Sequence, residues 1–217
     1  MYTLSHLYRH FFTRSAVLVC RAEYIQTNMG KLDSWQIRVL TEGMLSDLWQ
    51  LWCWFCRHAL LLSCGGTIAR SGAPVIARVR SNSWQRIGYE AICGSRGQRP
   101  KPIKRVNYRL DEPTWGNQDK IIDIVICLNP SNKNTLLSAF GLPLLGPKHL
   151  QIVRNACAHK DIETMKQVRD LLLHYTKEEF LCPSDLAWQL DPTRNICAIY
   201  SWIFDMRIMA DLATATP

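Results

Sequence analysis

The sequence predicts an all-α protein, an antiparallel helical bundle, and three observations support this. Hydrophobic residues make up 47% of the 217 residues and charged residues only 20%, which supplies a packed core and excludes wholesale disorder. Apolar stretches of helical length alternate with residues that typically cap or end helices. The connections between these stretches are short, as they are in antiparallel bundles.

Two long helices are expected in the first third of the chain. Residues 2–26 are compatible with a helix, although their apolar residues follow no clean period. A second helix is expected to have Ser34 as its N-cap and to run to about Cys64, where two glycines follow. Its second half is apolar on two faces, which is typical of a central helix or of one at a subunit interface.

The second half of the chain is again helical and well punctuated. Asn117 is expected to cap a helix that ends before Asn129 and Pro130. Ser131 or Asn132 opens a shorter helix that Gly141 ends.

The last third of the chain is expected to contain three further helices and a capping box. Pro147 occupies the first turn of one helix, and another is expected over 161–175. Thr176 and Glu179 stand at the spacing of a capping box. Asp191 and the proline after it are expected to begin the last helix.

A basic segment separates the early helices from the later ones. Between Arg70 and Arg109, eight arginines and two lysines stand against a single acid, Glu90. Such a segment is typical of a polyanion-binding surface, most often one for nucleic acid. Glycine, proline and serine interrupt residues 67–113, so we interpret them as an irregular basic insertion with room for a hairpin. The alternative is a solvated loop whose charges only keep the protein soluble. The predicted RNA-binding residues are Arg96, Arg99, Lys101, Lys104, Arg105 and Arg109.

The sequence also argues against several classes of protein. No apolar run reaches the roughly 18 residues that span a bilayer, and the N-terminus does not resemble a signal peptide, so we expect no membrane partner. Cys53 and Cys56 have no second ligand pair, so we expect no metal and no cofactor. The nine cysteines lie mostly in apolar surroundings, which favours a reducing, cytoplasmic location. The sequence motifs of serine hydrolases, phosphate-loop ATPases and zinc proteases do not occur.

The residues best suited to chemistry are Arg154, Asn155 and His159. Asn155 and His159 are four residues apart and share one face of a helix. Arginine is a permanent cation suited to phosphate, and histidine exchanges protons near neutral pH. Together they predict metal-free cleavage of an RNA phosphodiester. The same Arg–His spacing recurs at Arg169 and His174. The first pair is distinguished by its apolar lead-in, by Asn155 directly after the arginine, and by the small residues before His159.

The stretch Val153-Arg-Asn-Ala-Cys-Ala-His159 is similar to the R-N-x3-H signature of the HEPN superfamily of all-helical nucleotide-binding and ribonuclease domains. The resemblance covers residues 34–64 and 115–209 of a single HEPN-like domain over 1–217, and the basic insertion 67–113 has no counterpart. It implies that Arg154 and His159 are catalytic, that Asn155 supports them, and that two copies of this helix meet in a homodimer. Some toxin members carry a tyrosine two residues after the histidine, where this chain has Asp161.

We therefore expect a metal-independent endoribonuclease that attacks RNA through its 2′-hydroxyl, leaves a 2′,3′-cyclic phosphate, and serves as a toxin or in anti-phage defence. Its expected partners are RNA, a second copy of the chain, and a cognate antitoxin or defence-system protein. The alternative is a non-catalytic module that binds RNA, a nucleotide or a protein. In that interpretation His159 responds to the helix dipole and Arg154 pairs with Asp161 or Glu163.

Overall fold

A computed structural model describes residues 2–79, 83–101, 112–176 and 180–216. Most of these residues are helical, which confirms the predicted all-α class. The α-helices are α1 (Leu4–Asn28), α2 (Ser34–Gly65), α3 (Trp84–Ser95), α4 (Gln118–Leu128), α5 (Lys133–Phe140), α6 (Gly146–His159), α7 (Ile162–Leu171) and α8 (Ala198–Ala215). Two 3-10 helices cover Leu172–His174 and Pro183–Trp188. The described strands form two antiparallel hairpins, β1 (Thr67–Ile68) with β2 (Pro74–Val75) and β3 (Leu190–Asp191) with β4 (Ile196–Cys197). No described helix is long and apolar enough to cross a bilayer.

Several helix ends lie where the sequence places them, because short polar side chains satisfy the unpaired backbone groups there. The Asn117 side chain accepts a hydrogen bond from the Lys120 amide at the start of α4, and Asn129 ends that helix with a φ of 47°. Gly141 ends α5 and Pro147 lies in the first turn of α6, both as predicted.

The N-cap of α2 is a correction to the prediction. Asp33, and not Ser34, caps this helix: its carboxylate accepts from the Gln36 amide at 2.8 Å. The Gln36 side chain in turn accepts from the Asp33 amide at 3.0 Å, so the two residues form a reciprocal capping box. Ser34 is the first helical residue.

The start of α8 is a second correction. The helix begins at Ala198 and not at Asp191, because the Asp191 carboxylate accepts from the amide and hydroxyl of Thr193 and thereby closes the β3–β4 turn. Asn195 completes this turn with a φ of 55°. The predicted capping box of Thr176 and Glu179 cannot be located, because residues 177–179 lie outside the described residues. The Thr176 hydroxyl donates to the Gln189 side-chain oxygen and accepts from the Leu190 amide.

The described part of the basic insertion is more regular than predicted. It contains the β1–β2 hairpin and α3, which Ser83 caps by accepting from the Arg86 amide. Two stretches of the insertion are rich in β-branched and aromatic residues. Of these, residues 75–79 contain only the end of β2, and residues 103–108 lie outside the described residues. α3 packs closely on α4, since a Cβ at Gly94 would stand only 2.6 Å from the Cβ of Cys127. The helical pattern of α3 is weak in the sequence because its apolar face is short and is flanked by glycine, serine and arginine.

The chain divides into two compact units, each with its own core. The first comprises Met1–Phe11, Cys53–Pro143 and Ile208–Pro217. In it the rings of Phe11 and Phe55 lie 4.9 Å apart, and Arg70 ties the β1–β2 hairpin to the end of α8 through Asp211. Cys56 is fully buried in this core, and burial raises the pKa of its thiol well above the ordinary value.

The second unit comprises Phe12–Trp52 and Leu144–Arg207 and contains α6. Here the Asp205 carboxylate accepts from the Gly146 amide at 2.9 Å and from Arg194 at 2.6 Å. The first turn of α6 is thereby held directly against α8, where Trp202 is buried.

Gly146 is expected to tolerate no side chain at this junction. A Cβ there would lie 2.8 Å from the Trp202 Cα and 2.9 Å from the Asp205 Cβ. We expect Gly146→Ala to destabilise the protein by about 1–3 kcal/mol, because backbone must move to relieve the overlap. The matched control is Gly43→Ala inside α2, where a Cβ meets nothing within 4 Å. Urea unfolding should show the control to be as stable as wild type or more so, since alanine favours a helix; equal losses for the two variants would contradict this packing.

Candidate functional site

α6 presents the predicted catalytic residues on a firmly anchored helix. One face of the helix is buried and contributes Leu150, Val153 and Ala156 to the core of the second unit. The helix ends at Lys160, which has a φ of 51° and donates its amide to the Ala156 carbonyl. Because the buried face fixes the rotation of the helix, Arg154, Asn155 and His159 lie outside that fully buried face.

The structure brings two of the three predicted residues into contact. Arg154 and Asn155 are half-buried, and the arginine Nη1 donates to the asparagine Oδ1 at 3.5 Å. His159 lies one turn further along α6 and is exposed. Its ring makes no hydrogen bond within the described residues, so neither ring nitrogen is engaged by a described protein group.

Asp161, one of the two acids within reach of Arg154 along the chain, has other contacts. Asp161 caps α7 and accepts from the amide of Thr164 at 2.7 Å and from its hydroxyl at 3.0 Å. These hydrogen bonds lower the pKa of Asp161, and the nearby His159 adds a smaller effect in the same direction. Within the described ranges Arg154 forms no ion pair with Asp161 or Glu163.

An acid that no sequence motif indicates lies beside the end of α6. A carboxylate oxygen of Glu42, on α2, lies 3.9 Å from the Lys160 Nζ. Both side chains influence Cys157, whose pKa is raised to about 12 mainly by burial. Cys157 is therefore a protonated packing residue at neutral pH and not a nucleophile. No sequence pattern links Glu42 to α6, because the two residues are distant along the chain.

The second Arg–His pair lies in a different environment. Arg169 is exposed on α7, and His174 ends the 3-10 helix with its ring 4.9 Å from that of His149. His149 is buried, and its Nδ1 lies 2.6 Å from the Tyr175 hydroxyl. Trp202 donates to the same hydroxyl at 2.6 Å, so the hydroxyl proton is available to a neutral His149. This network anchors the first half of α6, because His149 lies on that helix.

The buried imidazole of His149 is expected to make the protein sensitive to acid. Burial lowers the pKa of His149 to about 4, and the neighbouring His174 and Lys148 add to this effect. An unfolded histidine titrates near pH 6.5, so between these values the unfolded chain binds more protons than the folded one. The stability that a neutral His149 contributes is therefore complete above pH 6.5 and decreases as the pH falls towards 4.

We expect about 3 kcal/mol of unfolding free energy to be lost over this range through His149. Urea unfolding between pH 7 and 4 measures it, with His149→Gln expected to show a flatter profile than wild type. His6→Gln, which removes an exposed imidazole, serves as the control. An unchanged slope in His149→Gln would show that other groups cause the acid sensitivity.

The basic segment is partly neutralised by its own fold. Arg78 and Arg86 both bond to the buried Glu90, each at 2.6 Å. Arg70 pairs with Asp211 and lies 4.1 Å from the centroid of the Tyr8 ring. These arginines are therefore occupied by structural contacts, and the charge count of the sequence overstates the positive charge that is available to a ligand.

Three of the predicted RNA-binding residues remain exposed. Arg96, Arg99 and Lys101 follow the end of α3 and line a cavity beside it. Lys104, Arg105 and Arg109 lie outside the described residues.

A comparison with known protein families, with curated proteins and with solved structures finds no match to this chain.

Proposed function

We propose that the protein is a metal-independent endoribonuclease of the HEPN type, with Arg154, Asn155 and His159 as its catalytic residues. The observation that carries the proposal is their arrangement on α6. Arg154 and Asn155 touch, and an accessible imidazole lies one turn away at the end of the same helix. A cation, an amide and a titratable ring on one anchored surface suit the charge and the proton transfers of RNA cleavage.

In the proposed mechanism the imidazole of His159 removes the proton from the 2′-hydroxyl of the RNA. The 2′-oxygen then bonds to phosphorus, the bond from phosphorus to the 5′-oxygen breaks, and the leaving oxygen takes up a proton. Arg154 stabilises the negative charge that builds up on the phosphate oxygens. Asn155 orients the guanidinium through their contact. The products are a 2′,3′-cyclic phosphate and a free 5′-hydroxyl.

We propose a homodimer as the active form, because a second α6 provides a second His159. One imidazole then acts as the base and the other as the acid that protonates the leaving oxygen. The cytoplasm is the proposed location, where all nine free cysteines stay reduced. A toxin or anti-phage role, with a cognate antitoxin or defence-system protein as partner, follows from the resemblance alone.

The other candidate is a non-catalytic HEPN module that binds RNA, a nucleotide or a protein. It is favoured by the position of His159 in the last turn of α6, where an imidazolium interacts favourably with the helix dipole. In that case Arg154 and His159 hold structure, and their removal lowers stability.

An RNA cleavage assay in excess EDTA tests the proposal. Wild-type protein is expected to cleave tRNA, rRNA or mRNA and to leave ends that carry 2′,3′-cyclic phosphates. Light scattering coupled to size-exclusion chromatography determines whether the chain alone is a dimer. A folded dimer that cleaves none of these RNAs would instead support the binding module.

A further inference from the structure

We propose that α3 and the segment after it form a pocket for one nucleotide of a single-stranded RNA, and that this site shares no residue with the α6 site. The proposal rests on RNA as the ligand of the proposed function, but it does not require cleavage. The cavity has a volume of 570 Å³, within the usual range for small-molecule sites. Its lining includes Tyr89, Ile92, Cys93, Arg96, Arg99 and Lys101.

A tight turn shapes one wall of the pocket. Gly97 adopts a φ of 64°, and the Gln98 amide reaches back to the Cys93 carbonyl at 2.8 Å. The Gly97 amide also donates to the carbonyl of Gly94. These bonds satisfy the last carbonyls of α3, so the helix end presents little negative charge to an anion.

Two hydrogen bonds hold the other wall against α3. The Lys101 amide donates to the Tyr89 hydroxyl at 3.1 Å, and Arg86 donates to the Lys101 carbonyl at 2.9 Å. The Arg86 guanidinium also lies 5.3 Å from the centroid of the Tyr89 ring. The backbone of Lys101 and the tyrosine ring are thus fixed, while the lysine side chain is exposed.

The charge of the pocket selects an anion. Within the described residues, Arg96, Arg99 and Lys101 make no ion pair, and no acid lines the cavity. The nearby Glu90 is buried and already bonded to two arginines. Guanidinium groups suit phosphate oxygens because their donors can bind two oxygens at once.

The floor of the pocket selects a planar, largely apolar group beside that anion. Ile92 and Cys93 are buried, 6% and 4% exposed, and Tyr89 adds an aromatic ring. A nucleoside phosphate combines the two requirements, a phosphate for the rim and a base for the floor. Three cations exceed the charge of one phosphodiester or of one nucleoside monophosphate, so an RNA strand that brings neighbouring phosphates fits better than a nucleoside monophosphate.

Fluorescence anisotropy with a fluorescein-labelled ten-residue oligouridylate tests the proposal. The background variant is His159→Ala, which keeps the RNA intact and separates binding from cleavage. Combined replacement of Arg96, Arg99 and Lys101 by glutamine is expected to weaken binding by about tenfold or more. The slope of the logarithm of the affinity against the logarithm of the salt concentration should become shallower by about 0.7 for each phosphate contact that is lost. Lys120→Gln removes an exposed lysine of α4 and should change the affinity less than twofold. Circular dichroism verifies that each variant is folded.

Crosslinking locates the bound base. An oligouridylate that carries 4-thiouridine should crosslink under ultraviolet light to the tryptic peptide 87–96, which contains Tyr89, Ile92 and Cys93. Equal affinity in the glutamine variant, or crosslinks only in other peptides, would overturn the pocket.

Uridine monophosphate at millimolar concentration should compete poorly with the labelled oligouridylate. Competition equal to that of the unlabelled oligouridylate would overturn the strand as the required occupant. If the wild-type protein does not cleave RNA, these binding and crosslinking results are unaffected. Each of the two proposals can therefore be disproved without the other.

Discussion

Replacement of His159 by alanine is expected to abolish RNA cleavage and to leave the fold intact. General acid–base catalysis typically contributes about 10²- to 10⁴-fold to a rate, so a loss of that size is expected in the rate of cleavage. The ring is exposed and makes no hydrogen bond within the described residues, so its removal should not change the melting temperature. Cleavage rates in EDTA and thermal unfolding measure the two effects.

Arg154→Ala is expected to have a similar effect on cleavage, because the charge on the transferring phosphate loses its stabilising cation. Removal of one such group typically costs about 10²- to 10³-fold in rate. Arg154→Lys should restore only part of the activity, since an ammonium group cannot bind two phosphate oxygens in one plane.

The chain offers a matched control in its second Arg–His pair. Arg169→Ala and His174→Ala remove the same residue types at the same spacing from exposed positions, and both variants should cleave RNA normally. Cleavage that survives in both His159→Ala and Arg154→Ala would place the active site elsewhere. A lower melting temperature in an inactive His159→Ala would instead favour a structural histidine.

Replacement of Glu90 by alanine is expected to cause the largest loss of stability. Its carboxylate is bonded to Arg78 and Arg86, each at 2.6 Å, and the Arg78 side chain is only 4% exposed. Loss of the carboxylate removes a counter-ion from the buried Arg78 charge, and the breaking of a buried ion pair typically costs about 3–5 kcal/mol. Urea unfolding measures the loss.

An exposed ion pair supplies the comparison for Glu90. Arg21 and Asp47 lie 2.8 Å apart, with side chains 53% and 55% exposed. Asp47→Ala should therefore cost less than about 1 kcal/mol, because water solvates both charges. Similar losses for Glu90→Ala and Asp47→Ala would show that burial does not strengthen the dependence on Glu90.

The sequence predicted the helices whose ends depend on local chemistry. α4, α5 and α6 begin and end where Asn117, Asn129, Gly141 and Pro147 indicate, because caps and breakers act on the backbone next to them. Where two local signals competed, the prediction was wrong. Asp191 could open a helix or close a turn, and the pairing of β3 with β4 selected the turn.

α3 and its charges show what sequence analysis could not predict. Glu90 was visible only as the single acid among many basic residues, and its two arginine partners are brought to it by folding. The basic charge of the segment therefore divides into structural and accessible groups by burial, which composition does not report.

By itself the sequence determined the helical class, the boundaries of α4, α5 and α6, and the placement of Arg154, Asn155 and His159 on one helix, since these depend on residues within a few positions of each other. The tertiary structure decided which of these side chains are exposed, which acid lies beside Lys160, and which cations remain accessible after α3 packs. These properties depend on contacts between residues distant along the chain, and only packing brings such residues together.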